Sequence, residues 1–66
     1  MSHNSNNVWI EAAIENFEEA FAEKNLQMMQ DIISDMRDAG FKNTAYECEQ
    51  RARAKFSNDW TDKDSQ

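Results

Sequence analysis

The stretch LQMMQDIISDMRDAGFKNTAYE, residues 26–47, decides the fold. Leu26, Met29, Ile32, Ile33 and Met36 recur at helical spacing, which stacks them on one face of an α-helix. Gly40 then stops that helix, because glycine enters the left-handed region without steric cost, and Phe41 falls where a Schellman cap reaches back to Met36. Thr44 and Glu47 have capping-box spacing, in which hydroxyl and carboxylate each satisfy the other residue's backbone N–H, so a further helix is predicted from Thr44. Its inward set, Ala45, Cys48, Ala52 and Phe56, is mostly small. Such a helix can approach its neighbours closely but buries modest area.

Upstream, Ile10, Ile14, Phe17 and Phe21 form the stripe of another helix that Asn6 or Asn7 can cap. Trp9 and Ala12 lie off this stripe, on the side of Ala13, Asn16 and Ala20, as a second apolar strip suited to the third helix or another subunit. The pattern slips at Glu23-Lys24-Asn25, where Asn25 can cap a new helix. A corner there is the preferred reading, and one kinked helix over 8–39 is the alternative, since Glu and Lys are good helix formers. The prediction is an all-α three-helix unit with helices over 8–23, 26–39 and 44–57 and a core of Ile10, Ile14, Phe17, Phe21, Ile32, Ile33, Met36, Phe41 and Phe56. Residues 1–7 and 58–66 read as polar tails flanking this single domain, 8–57. Trp60, embedded in the second tail, either docks back on the core or anchors a partner.

With 66 residues, 39% hydrophobic, 30% charged and a formal charge of −6, the chain can hold only one small core. Such a core supplies no more than about 3–5 kcal/mol, and Trp9, Tyr46 and Trp60 are left outside it. A homodimer or a stable hetero-complex is therefore expected. Apolar runs are far too short to span a bilayer, so no membrane association is expected. The start lacks the features of a signal peptide, and the single Cys48 has no internal disulfide partner, which together predict a reducing, cytoplasmic location.

No catalytic, cofactor or metal site is expected. The one histidine, His3, lies in the polar start of the chain, there is no Gly-rich phosphate loop, and the carboxylates lack the Gly-punctuated spacing of a calcium loop. Cys48 falls on the small-residue stripe, as a buried hydrophobe rather than a reactive thiol. Among the methionines, Met29 and Met36 suit the core, whereas Met28 sits beside Asp31 and Asp35 and would mark an interface if exposed.

Charge is segregated. Glu11, Glu15, Glu18 and Glu19 form a ridge on the first helix, Asp31, Asp35 and Asp38 form a second on the next, and Arg51, Arg53 and Lys55 lie near the end of the third. The ridges are either solvated faces or a docking face for a basic surface. The three bases complement the helix dipole and can pair with the acids of the first helix. With a pI near 4.5, direct nucleic-acid binding is not expected. Two readings of function follow. One is a small acidic, non-enzymatic regulator or adaptor, of the kind viruses and mobile elements use as inhibitors, that binds a protein through Trp9, Tyr46 and Trp60 flanked by Glu11, Glu15, Glu18 and Glu19. The other is a nucleic-acid mimic whose carboxylates occupy the basic groove of a DNA- or RNA-binding protein.

Overall fold

A computed structural model describes the backbone of residues 2–60 and the side chains of residues 8–60. It contains three helices, α1 (Ser2–Glu23), α2 (Leu26–Asp38) and α3 (Lys42–Lys55), with no strand among the described residues. The architecture is the expected all-α three-helix unit. Helix α1 begins at Ser2 rather than Val8: nothing in the polar segment breaks a helix, so the backbone stays helical beyond the last apolar residue.

The two connections share one backbone device. At the end of α1, the Lys24 N–H donates to the Phe21 carbonyl at 3.2 Å and the Asn25 N–H to the Ala20 carbonyl at 2.8 Å, the paired bonds of a Schellman turn. Lys24 takes the left-handed position, at φ 57°. Asn25 then caps α2, its Oδ1 accepting from the Met28 N–H at 3.2 Å, so residues 23–25 form the corner rather than a kink in one long helix. At the end of α2, Gly40 sits at φ 98°, its N–H donating to Arg37 at 3.1 Å while the Phe41 N–H donates to Met36 at 2.9 Å. This is the predicted stop.

The start of α3 differs from expectation. It begins at Lys42 with Phe41 as N-cap and no side-chain cap bond, and the Ala45 N–H already donates to the Phe41 carbonyl at 2.9 Å. Because the Gly40 turn hands the chain directly into a helical path, Thr44 and Glu47 lie inside α3 and the capping box does not form.

The core also shifts relative to the predicted stripe. Phe17, Ile33, Met36 and Phe56 are buried as expected, whereas Ile10, Ile14, Phe21, Ile32 and Phe41 are only partly buried around them. Ala13 and Ala20 of α1 take central places that the stripe did not assign them, beside Met29 and the small α3 set Ala45, Cys48 and Ala52, which are buried as expected. Helices come closest where side chains are smallest, so alanines occupy the line of contact and Ile10, Ile14 and Ile32 flank it. The second apolar strip of α1 thus divides, with Ala13 and Ala20 in the core and Trp9, Ala12 and Asn16 exposed.

Helix α3 covers one side of the α1–α2 hairpin. Phe56 meets Phe21 with ring centroids 5.3 Å apart, and Phe21 meets Phe17 at 5.8 Å. Arg51 reaches from α3 to Glu18 in a two-pronged ion pair of 2.7 and 3.2 Å, its guanidinium lying 5.1 Å from the Phe21 ring centre. On the α2 side, Glu49 bridges Arg37 at 3.0 Å and Arg53 at 3.5 Å. After Phe56 the chain turns back, with the Trp60 N–H donating to the Phe56 carbonyl at 2.7 Å and Asp59 pairing with Lys24 at 2.9 Å. Trp60 is packed against the core, the docked alternative of the two expected for it. The rest of the predicted C-terminal tail lies outside the described residues.

A candidate docking groove between the first two helices

The ring of Trp9 near the start of α1 stacks on that of Phe41, just past the end of α2, with centroids 5.8 Å apart and planes within 14°. The two helices are therefore antiparallel, and a groove runs between them on the side that α3 leaves open. Trp9, Ala12 and Asn16 line one wall, Ile32 and Asp35 the other, and buried Ala13 the floor, around a cleft of about 170 Å³. At 100° per residue, Trp9, Ala12 and Asn16 lie on roughly the opposite side of α1 from Ile14, Glu18 and Phe21. One flank of the hairpin is covered, and the other presents apolar surface to solvent.

The predicted binding residues do not all converge. Trp9 remains 41% exposed at the groove. Tyr46, 62% exposed, projects from α3, five residues beyond the Phe41 turn. Trp60 lies beyond the other end of α3, against the α1–α2 corner through its neighbour Asp59. Met28 is exposed on α2, with the Asn25 amide nitrogen 3.8 Å from its sulfur. The structure brings Trp9 to Ile32 and Asp35, which the sequence reading did not connect with it.

Glu11, Glu15, Glu18 and Glu19 of the acidic ridge are all exposed. Glu18 is held by Arg51, whose hydrogen bond keeps the carboxyl below its ordinary pKa of 4.5. Cys48 is buried, and desolvation pushes its thiol up, which keeps it protonated at neutral pH. Among the described residues no cluster of His, Cys, Asp or Glu could hold a metal ion, and no helix is long and apolar enough to cross a membrane. Comparison with protein-family models, curated proteins and solved structures finds no match to this chain.

Proposed function

We propose that this protein is a small, acidic, non-enzymatic regulator or adaptor that acts in the cytoplasm by binding another protein through exposed apolar and aromatic surface flanked by carboxylates. The observation that carries the reading is the stacked Trp9–Phe41 pair at the mouth of a groove between α1 and α2. An indole held at one edge of a cleft supplies a rigid contact surface at little cost in entropy, and Trp is enriched among interface hot spots. Tyr46 offers a second exposed aromatic on α3.

A nucleic-acid mimic would act through exposed carboxylates alone. Glu18, one of the four on the α1 ridge, is instead engaged with Arg51, which favours apolar anchoring. Capture of partners from host lysate at about 50 and 200 mM salt separates the two mechanisms. The expected result is a complex that tolerates the salt change and loses about 2 kcal/mol or more on Trp9→Ala or Tyr46→Ala, with Glu15→Gln mainly slowing association. A complex that weakens steeply with salt, competes with DNA and ignores the aromatic substitutions would establish the mimic instead.

A further inference from the structure

We infer that the groove between α1 and α2 receives a basic amphipathic helix from a partner protein, whose apolar ridge packs on Trp9, Ala12 and Ile32 while its Lys or Arg side chains meet Asp35 and the neighbouring acids. This deepens the proposed protein-binding role and rests on it. Size comes first. A cleft of about 170 Å³ is below the roughly 300–1,000 Å³ of drug-sized ligand pockets and matches a few protruding side chains. Shape comes second. Both walls are helices whose backbone groups bond internally, with no strand edge among the described residues for an extended peptide to extend. Two antiparallel helices do offer a trough along their axes in which a third can lie. Since α3 occupies the opposite flank, the added helix would complete a four-helix arrangement.

Charge fixes the partner's chemistry. Asp35 lines the groove, with Asp31 and Asp38 on the same side of α2; on α1, which has no Lys or Arg, Glu19 and Glu23 lie nearest the groove by helical phase, whereas Glu18 is held by Arg51 on the opposite flank. The one base of α2, Arg37, is turned to the α3 side, where it meets Glu49. An acidic occupant would set carboxylate against carboxylate. A second copy of this chain is disfavoured on the same ground, because it would bring two surfaces of the same acidic helices together within a pair each carrying −6.

Selection from a displayed library of single helices with a fixed leucine stripe and randomised flanks, against the full chain, tests this. Recovered peptides should be enriched in Lys and Arg beside the stripe. Amide and indole NMR shifts of the labelled protein should move at Trp9, Ala12, Asn16, Ile32 and Asp35. Asp35→Lys, an exposed change, should weaken the best peptide by about tenfold or more, and Trp9→Ala by at least as much. Peptides without basic enrichment, or shifts centred on Tyr46 and Arg53 with Asp35→Lys silent, would overturn the groove assignment while leaving the protein-binding role to its own lysate test. Self-association abolished by Asp35→Lys would likewise overturn it, giving the groove to a second copy.

Discussion

The two flanks of the α1–α2 hairpin are built from the same helices and end differently. On the α3 flank, Phe21 is met by Phe56 and the Glu18 carboxylate by Arg51, so apolar and charged groups both find partners within the chain. On the other flank, Trp9 stacks on Phe41, and Ala12, Ile32 and Asp35 border an open groove. Among the described residues, α3 covers one side of the hairpin and leaves apolar surface on the other.

If the flanks differ in this way, substitutions on them should divide between stability and binding. The largest stability effect belongs to Phe56→Ala on the covered flank, which should cost about 3–5 kcal/mol and leave the domain largely unfolded by circular dichroism. Gly40→Ala follows, at about 1 kcal/mol in chemical denaturation. An added Cβ there meets nothing within 4 Å, so the loss would come from the positive φ alone. The mirror experiment is Lys24→Gly. It removes a β-carbon from the other left-handed position and should gain a few tenths to about 1 kcal/mol, less whatever the exposed Asp59 pair contributes.

A smaller effect tests the covered flank's ion pair. Because the folded carboxyl of Glu18 titrates below its ordinary value, its contribution is present above pH 4.5 and is lost as pH falls through the depressed pKa. The stability difference between the parent and Glu18→Gln should therefore shrink in that acid window, as followed by melts across pH. A difference that stays constant down to full protonation would show that the Arg51 contact does not stabilise the fold.

Local signals made much of the fold legible, and relative helix rotation hid the rest. Asn25 announced the corner through its capping chemistry, and Gly40 with Phe41 announced the second turn. Lys24 gave no such signal, since lysine is a poor marker for a left-handed residue. The capping box at Thr44 and Glu47 was locally sound but was overridden when the Gly40 turn started α3 two residues earlier, at Lys42. Weighting large side chains drew the core stripe through Ile10 and Ile14, whereas close packing placed Ala13 and Ala20 at its centre. Trp9 stood out in the sequence as an aromatic outside the best stripe. Its juxtaposition with Ile32 and Asp35 depends on how α1 is turned against α2, which no single-helix pattern encodes.

The central claim is that the uncovered flank carries recognition without carrying the fold. Ala12→Arg tests it most directly, because Ala12 is exposed and lines the groove, so a bulky cation there should block the groove and oppose a basic partner while leaving the core intact. Calorimetric titration of the captured partner, paired with a thermal melt, should show affinity reduced by about tenfold or more. Stability should stay within about 0.5 kcal/mol of the parent, a change of no more than about 4 °C in Tm. Unchanged affinity, or a loss that only tracks unfolding, would contradict the assignment of recognition to this flank.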